Sequence, residues 1–414
     1  MYSDYFSKKV AKDKSFFDRK EETQRLIIDI TSSNNTWLAG ERRFGKTSIA
    51  TYACNQIHKS KKMYGITEFA WDICDISSCA TLDSAQRKIL HSISEATSQI
   101  INNKKNIAEL AKSIFNKFTP ELAIGGRDLA KLTMKLKIPS GIESPIDLAI
   151  KSLDELATKC KAKACIIIDE FQTLQEIDKN KGEKIEWDIR GGLQHAENVC
   201  MIFAGSKRRM MTEAFTDQSR ALFGMCSSMS IDELPADDCI KHLKKAAKES
   251  GFTFDDGALE RIYEISKGHP RDFNQLALSS FQIATFDETQ VKHITEEIVG
   301  KAWNSYVTEL TVGEVKSIIR EKQAASKKTE IALLIAIAHI KPTKVTTAEF
   351  TSFVGFSATS INHALTNLDQ QGLIRKRGPR WELCEPSYES ALIQISDDQI
   401  DKDALFKVLK SEEK

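Results

Sequence analysis

The stretch GERRFGKT, residues 40–47, fits the pattern G-x-x-x-x-G-K-[S/T]. It follows the apolar residues 36–39 and precedes residues 48–53, whose sequence SIATYA suits the first turns of a helix. A strand, a glycine-containing loop and a helix in this order form the context in which the pattern binds nucleotide phosphates. Backbone N–H groups converge on the phosphates there, and the helix N-terminus adds a partial positive charge. The stretch therefore predicts a phosphate-binding loop for ATP or GTP.

Individual residues of this loop have distinct expected roles. Lys46 is expected to reach the β- and γ-phosphate oxygens, and the hydroxyl of Thr47 is expected to ligate Mg²⁺. The predicted nucleotide-binding residues are Gly40, Glu41, Arg42, Arg43, Phe44, Gly45, Lys46, Thr47 and Ser48.

A second stretch, ACIIIDE at residues 164–170, is a run of β-forming residues that ends in two carboxylates. A short run that is apolar throughout suits a strand buried on both faces of a parallel sheet. Such sheets bind their ligands at the carboxyl ends of the strands. We expect Asp169 to hold Mg²⁺ and Glu170 to orient and polarise an attacking water. A glutamate in this place favours hydrolysis, because a water nucleophile needs a proton acceptor.

Composition limits the class of protein. A length of 414 residues predicts two or three domains, and 41% hydrophobic with 28% charged residues is typical of globular proteins. Lys and Arg number 59 against 58 Asp and Glu, so any contact with nucleic acid has to come from a local patch. The sequence has no apolar run of about 18 residues and no apolar stretch near its N-terminus. We therefore expect a cytosolic protein without a membrane contact.

The nine cysteines do not suggest a metal centre. They form no C-x-x-C pair and no Cys/His cluster with zinc-ligand spacing. An odd number of cysteines without a disulfide framework favours reduced thiols.

Further motifs follow a fixed order along the chain. FFDRKEE at residues 16–22 leads into a helical pattern, and VCMIFAGS at 199–206 predicts a buried strand that ends in a polar residue. Residues 228–235 predict a last short strand, and GHPRDFNQL at 268–276 lies in a helical region.

This ordered set resembles the AAA+ ATPases, and within them the archaeal-type and STAND-like branch related to the origin-recognition ATPases. The motifs that carry the resemblance are F-x-x-R-x-x-E from residue 16, GERRFGKT, DEFQ at 169–172, GS at 205–206 and GHP at 268–270. It covers roughly residues 15–310, and to about 390 with the C-terminal pattern described below. The implied fold class is α/β: a P-loop parallel-sheet core, a helical lid and a C-terminal winged helix.

The resemblance also implies roles for single residues. Ser206 takes the place of the sensor-1 polar residue, which bonds the γ-phosphate or the attacking water. Arg271 takes the place of a sensor-2 arginine, which reaches from the lid onto the γ-phosphate. Arg220 is a candidate arginine finger, and Arg208 and Arg209 compete with it for this role.

The spacing of the two main motifs predicts an insertion. Lys46 and Asp169 are about 120 residues apart, which is more than a minimal P-loop core needs. The insertion is placed near residues 95–145, with a helical pattern over 107–118 and an alternating, half-exposed strand over 132–138. A simple decoration of the fold is the preferred interpretation, and partner binding or subunit pairing remains open.

The C-terminal part predicts a separate unit. A polar connector at 323–329 precedes helical patterns at 330–339, from 346 and from 357 to 372, and two short strands surround a Gly-Pro turn at 378–379. Three helices followed by a hairpin form the winged-helix pattern, a variant of the helix-turn-helix. The predicted domains are therefore the core at 1–235, the lid and connector at 236–322, and the winged helix with its tail at 323–414.

The predicted wing is basic. Its candidate contacts with the phosphates of double-stranded DNA are Arg375, Lys376, Arg377 and Arg380. The preceding helix carries Asn362, His363 and Asp369 but no Arg or Lys, although Asn can read adenine. A winged helix that docks a protein therefore remains the alternative.

Two functional hypotheses follow, both with ATP and Mg²⁺ as cofactors and with a homo-oligomer or a protein partner. The first is a DNA-associated ATPase that couples nucleotide state to the remodelling of DNA or of a protein complex. The second is a STAND-like switch in which the nucleotide controls oligomerisation and effector recruitment. A small-molecule kinase is a weaker third hypothesis, because the sequence offers no evident acceptor site.

Overall fold

The buried strands predicted around the two motifs form one parallel sheet. In this computed structural model, which describes residues 1–6, 10, 11, 13–102, 123–125, 133–135, 144–286, 292–399, 405, 408 and 409, the sheet has five strands in the order β2-β5-β6-β1-β7. Their bounds are β1 Asn35–Ala39, β2 Glu68–Asp75, β5 Ala162–Asp169, β6 Val199–Gly205 and β7 Cys226–Ser230. A two-stranded antiparallel sheet pairs β3 Ala123–Gly125 with β4 Thr133–Lys135.

The chain divides into two compact units. The core unit comprises Arg19–Gly40 and Gly45–Ile231, and the C-terminal unit comprises Met1–Asp18, Glu41–Phe44 and Asp232–Lys414. The division into three domains stays a prediction.

Helices cover the sheet of the core unit because its central strands are apolar on both faces. Strands β1, β5 and β6 are buried along almost their whole length, as expected for a parallel sheet between helical layers. The helices of this unit are Lys20–Thr31, Lys46–Lys59, Leu82–Asn102, Pro145–Cys160, Thr173–Ile177, Lys179–Leu193 and Arg208–Thr216.

The strand register brings the motif residues to one edge of the sheet. Ala39 lies opposite Gly205, and Ile168 lies opposite Phe203. The carboxyl ends of β1, β5 and β6 therefore meet, and the loops that follow them carry the predicted chemistry. A glycine is required at position 40, because a Cβ there would lie 2.6 Å from the carbonyl oxygen of Ile231.

The C-terminal unit is mainly helical. Its first helices, with the two-residue strands β8 Thr253–Phe254 and β9 His293–Ile294, are Ala236–Ser250, Asp256–Ser266, Pro270–Thr285, Glu296–Tyr306 and Val312–Ala324. A π-helical turn, Val307–Thr311, joins the last two helices. Tyr5 and Phe6 from the N-terminal segment are buried in the apolar cluster that these helices enclose.

The predicted order of helix, helix, helix and hairpin is present in the same unit. The elements are Lys328–Ile340, Ala348–Val354, Ala358–Gln370, β10 Ile374–Arg377 and β11 Arg380–Leu383, followed by Pro386–Ser396. Strands β10 and β11 pair antiparallel about the turn at Gly378, which has a φ of +58°. Thr347 and Ser357 each cap the helix that follows by accepting a backbone N–H bond, as the sequence predicts.

Within the strand expected at 132–138, the structure describes Thr133–Lys135, and these residues form a strand. The other residues of that stretch and the helical pattern at 107–118 lie outside the described residues. No helix in the described ranges combines the length and the apolar character that a membrane crossing requires.

Candidate nucleotide site

The phosphate loop turns into its helix through a left-handed glycine. Gly45 has a φ of +86° and forms the N-cap of the helix Lys46–Lys59, without a side-chain cap. The first N–H groups of a helix have no intrahelical acceptor and attract anions. The buried side chain of Lys46 donates a 2.9 Å hydrogen bond to the carbonyl oxygen of Gly40. The ammonium group therefore stays within the loop that the motif predicts to bind phosphate.

Thr47 and Asp169, the two predicted metal ligands, are in direct contact. The hydroxyl of Thr47 donates a 2.6 Å hydrogen bond to Oδ2 of Asp169, although the two residues are 122 positions apart. Burial raises the pKa of Asp169, and the hydrogen bond from Thr47 opposes this effect. A buried carboxylate beside a hydroxyl is a pair of hard oxygen donors that a divalent cation would stabilise. These residues therefore fit Mg²⁺.

Glu170 is held by two side chains in the core unit. Its Oε2 accepts a 2.7 Å bond from the hydroxyl of Ser206 and a 2.6 Å bond from Nε2 of Gln172. The backbone of Glu170 is left-handed, with a φ of +57°, a conformation that is uncommon outside glycine. Gln172 is buried, and its Oε1 has no hydrogen-bond partner among the described residues. The strand end thus presents a carboxylate whose orientation is fixed from two sides.

Residues 41–44 of the loop pack within the C-terminal unit. Glu41 and Phe44 are buried, whereas Arg42 is exposed. The Phe44 ring meets the ring of His269 edge-to-face, with centroids 5.2 Å apart. Cys384 donates a weak 3.6 Å bond to the Glu41 carboxylate. The side chains of Glu41 and Phe44 are therefore packing residues, and only their backbone remains available to a phosphate.

Arg43, a predicted nucleotide-binding residue, and Arg271, the predicted sensor-2 arginine, contact the same two carboxylates. Arg43 donates to Glu385 at 2.5 Å and to Glu314 at 3.3 Å, and Arg271 donates to Glu314 at 2.6 Å and to Glu385 at 3.1 Å. Tyr388 also donates to Glu314, at 2.8 Å. These contacts all lie within the C-terminal unit.

The helix start around Arg271 explains how this residue is positioned. Nδ1 of His269 caps the helix Pro270–Thr285 by accepting from the backbone N–H of Asp272. The buried Asp272 carboxylate accepts from the hydroxyls of Tyr306 and Ser387 and from the backbone N–H of Ser387. The first turn of the helix is therefore fixed on both sides of Arg271.

Arg220, the candidate arginine finger, lies in a buried ion pair, and its role as a finger stays a prediction. Arg220 is 4% exposed and donates to both carboxylate oxygens of Glu186, which is fully buried, at 2.6 and 2.7 Å. Breaking a buried ion pair of this kind costs about 3–5 kcal/mol. The competing candidates Arg208 and Arg209 are exposed.

The candidate wing is less basic than its sequence suggests. Arg375 is 14% exposed and pairs with Glu233 at 2.8 Å and with Glu382 at 2.9 Å. Lys376, Arg377 and Arg380 are exposed. Three of the four predicted cations are therefore presented to solvent.

Three residues that contact predicted site residues within their own unit were not assigned by the sequence analysis. Gln172 lies inside the DEFQ motif, two positions after Glu170, so the sequence could have indicated a contact between these side chains. Glu314 and Glu385 belong to no motif, and their contacts with Arg43 span 271 and 342 residues. No local pattern could indicate contacts of that range.

Comparisons with known proteins identify the fold. No protein-family model matches the sequence, and no curated protein matches it. Among solved structures, a Walker-type ATPase of Pyrococcus abyssi matches with a TM-score of 0.63 at 16% identity, covering 92% of this chain and 97% of that one. The ORC2 protein of Aeropyrum pernix, in its ADPNP–ADP complexes, matches with a TM-score of 0.54 at 13% identity, covering 96% and 97%.

The protein therefore has the fold of the AAA+ P-loop ATPases, with neighbours among the origin-recognition proteins, and the predicted fold class is confirmed.

Proposed function

We propose that this protein binds ATP with Mg²⁺ at residues 40–48 and hydrolyses it. The observation that carries the proposal is the arrangement at one edge of the core sheet. There Thr47 contacts Asp169, and Ser206 contacts Glu170, through hydrogen bonds of 2.6 and 2.7 Å. A phosphate loop, a metal-binding carboxylate and an oriented second carboxylate are the parts that phosphoryl transfer to water needs.

Each residue has a role in this proposal. Lys46 binds the terminal phosphates, while Thr47 and Asp169 hold Mg²⁺, which neutralises charge on the phosphate oxygens. Glu170 orients a water and accepts its proton. Ser206 keeps the Glu170 carboxylate in place.

Two substitutions test the nucleotide site. Lys46→Ala should abolish binding of a fluorescent ATP analogue, because the cation that faces the phosphates is lost. Glu170→Gln should retain binding and lower turnover by about 10²–10⁴-fold, the usual contribution of a general base. Glu176→Gln is the matched control, because the Glu176 carboxylate pairs with Lys207, whereas that of Glu170 accepts from Ser206 and Gln172. Equal turnover in Glu170→Gln and wild type would contradict the assigned base.

We further propose that the ATPase is DNA-associated. The support is the exposed basic hairpin, since a local basic patch on a chain without overall basicity is a feature of phosphate contacts. ATP turnover that rises on addition of double-stranded DNA would favour this function.

A STAND-like nucleotide switch is the second candidate. The observation that favours it is the absence of Arg and Lys from the described helix Ala358–Gln370, together with the internal pairing of Arg375. In this function the nucleotide controls oligomerisation, and the candidates for the arginine that acts across subunits are Arg220, Arg208 and Arg209. The switch would be favoured if DNA leaves the rate of ATP turnover unchanged and if the mass of the oligomer differs between the ATP-bound and ADP-bound protein.

A further inference from the structure

The hairpin of β10 and β11 contacts a carboxylate near the start of the segment Asp232–Lys414. This carboxylate belongs to Glu233, and its Oε1 lies 2.8 Å from Nη2 of Arg375 and 3.8 Å from Nη2 of Arg377. All three residues lie in the C-terminal unit. One carboxylate oxygen therefore faces two of the four cations that the sequence assigns to the wing.

Glu382 completes this ion-pair cluster from the opposite strand. It lies opposite Arg375 in the register of the hairpin, and its Oε1 accepts from Nε at 3.0 Å and lies 2.9 Å from Nη2. Nη2 of an arginine carries two N–H groups, so Glu233 and Glu382 together occupy both. The guanidinium also lies over the ring of Phe44, with 5.7 Å between Cζ and the ring centroid. The orientation of Arg375 is therefore fixed by three neighbours.

Both partners of the pair between Glu233 and Arg375 are charged and partly buried. Their side chains are 24% and 14% exposed. Burial favours the neutral form of Glu233, but a hydrogen bond from its own backbone and the charges of Arg375 and Arg377 outweigh this effect, so its pKa lies below the ordinary value. A guanidinium keeps its proton throughout the physiological range. The ion pair is therefore present at neutral pH.

A carboxylate in this place uses the donors that a phosphate would use. Guanidinium groups bind carboxylate and phosphate through the same fork of N–H donors. Arg377 is 48% exposed, and its distances to Glu233 and Glu382 are long, at 3.8 and 3.9 Å. Loss of the charge on Glu233 would leave two arginines that share only one carboxylate. The hairpin thus contains a site for one phosphate group, and Glu233 fills it.

We propose that Glu233 occupies the place of a double-stranded DNA phosphate on Arg375 and Arg377, and so prevents one phosphate contact of the wing. This inference rests on the proposed DNA association, and it assigns a residue that limits the affinity of that site. With Glu233 in place the wing offers three contacts, from Lys376, Arg377 and Arg380. Without its charge, Arg375 adds a fourth.

DNA binding by the full-length chain tests the proposal. Fluorescence anisotropy of a labelled DNA duplex of mixed sequence is measured at several salt concentrations. Glu233→Gln keeps the shape of the side chain and removes its charge. The variant should bind the duplex about fivefold more tightly at low salt, equivalent to about 1 kcal/mol. The slope of log affinity against log salt should steepen by about 0.9, because one phosphate contact is added.

A double variant tests whether the gain passes through Arg375. Glu233→Gln combined with Arg375→Gln replaces both charges by neutral side chains and leaves the net charge of wild type. The gain in affinity and the steeper slope should both disappear, because the added contact comes from the guanidinium. A purely structural role of Glu233 would not produce this dependence of the salt slope on Arg375.

Glu297→Gln is the matched control. It removes the same charge from the same unit, but Glu297 lies on the helix Glu296–Tyr306 and pairs with Lys301. Affinity and salt slope should both equal those of wild type.

The outcomes separate the inference from the proposed function. Wild-type affinity and slope in Glu233→Gln, or a gain that persists in the double variant, overturns the inference. An equal gain in Glu297→Gln also overturns it, because net charge would then be the cause. If neither wild type nor Glu233→Gln binds the duplex at any salt concentration, the DNA association itself fails, and the inference fails with it.

Discussion

Gln172 is a buried residue that helps to orient Glu170, the proposed general base. Glu170 has a left-handed backbone, and its carboxylate would sample several orientations without a restraint. The bonds from Gln172 and Ser206 reach the same oxygen, Oε2, and leave Oε1 for a water. Gly205 is needed beside them, because a Cβ at that position would collide with Oε1 of Gln172 and with Met211. The orientation of the proposed base therefore depends on Gln172 and Ser206, and on the space that Gly205 leaves for Gln172.

Gln172→Leu should lower the rate of ATP turnover by about tenfold, as a fraction of the contribution of a well-placed base. Nucleotide affinity should stay within about twofold, because the side chain of Gln172 donates to Glu170, whose proposed role is in hydrolysis and not in binding. Gln175→Leu is a suitable comparison, since Gln175 is also buried but bonds Glu186. Steady-state turnover and binding of an ATP analogue would be measured for both. A loss of affinity in parallel with turnover would mean that Gln172 acts on folding of the site.

At the scale of elements, apolar runs predicted the strands well. The runs 36–39, 164–168 and 199–204 lie within β1, β5 and β6, because a strand buried on both faces leaves an uninterrupted apolar signal. Strand β2 was not predicted. Its sequence EFAWDICD mixes charged and apolar residues, and the strand lies at an edge of the sheet, where burial is incomplete. The capping residues Thr347 and Ser357 could also be predicted, because a cap, like a buried strand, depends on residues that are close together in the sequence.

The N-terminal segment packs on the helix Ala236–Ser250 through His242. Its imidazole stacks on Phe17, with centroids 3.7 Å apart, and Nε2 lies 3.0 Å from the carbonyl oxygen of Tyr5. Burial lowers the pKa of His242 to about 4, and Lys245 adds to the effect. The folded state therefore keeps this imidazole neutral where the unfolded chain, with a histidine pKa of about 6.5, binds a proton.

Stability should consequently fall as pH decreases from about 6.5 to about 4, because the unfolded state binds more protons in that window. His242 accounts for about 3 kcal/mol of this loss, following from the difference between the two pKa values. His242→Gln cannot titrate and should flatten the profile, although it will be less stable at neutral pH. Free energies of unfolding in urea across this pH range provide the measurement. An equally steep decline in the variant would show that other groups are responsible.

At the scale of the whole molecule, the sequence predicted which motif residues meet at one edge of the core sheet, but not the contacts within the C-terminal unit. Asp169 and Thr47 could be placed together because each belongs to a motif with a known position on a parallel sheet. The pairing of Arg375 with Glu233 could not be predicted, because the two residues lie far apart in the sequence and share no motif. That pairing changes the expected DNA contact from four cations to three.

Replacing Lys376, Arg377 and Arg380 together by Ala should weaken binding to double-stranded DNA of any sequence. Each lost phosphate contact should also reduce the slope of log affinity against log salt by about 0.9. The control carries the same change in charge on exposed lysines of the helix Ala236–Ser250, namely Lys241, Lys244 and Lys248. Fluorescence anisotropy at several salt concentrations would measure both quantities. DNA binding that is equal in wild type and the wing variant would favour a protein-docking role and the nucleotide switch.

The position of residues 41–44 within the C-terminal unit has a consequence for synthesis on the ribosome. Arg43 is made early, but its partner Glu385 follows 342 residues later. At about 5–20 residues per second, this interval lasts about 20–70 s. The core unit can begin to fold during that time, whereas the middle of its phosphate loop lacks the side chains that hold it. The contacts that hold residues 41–44 can therefore form only after residue 385 has been made, and we expect any nucleotide binding that needs an ordered loop to follow that step.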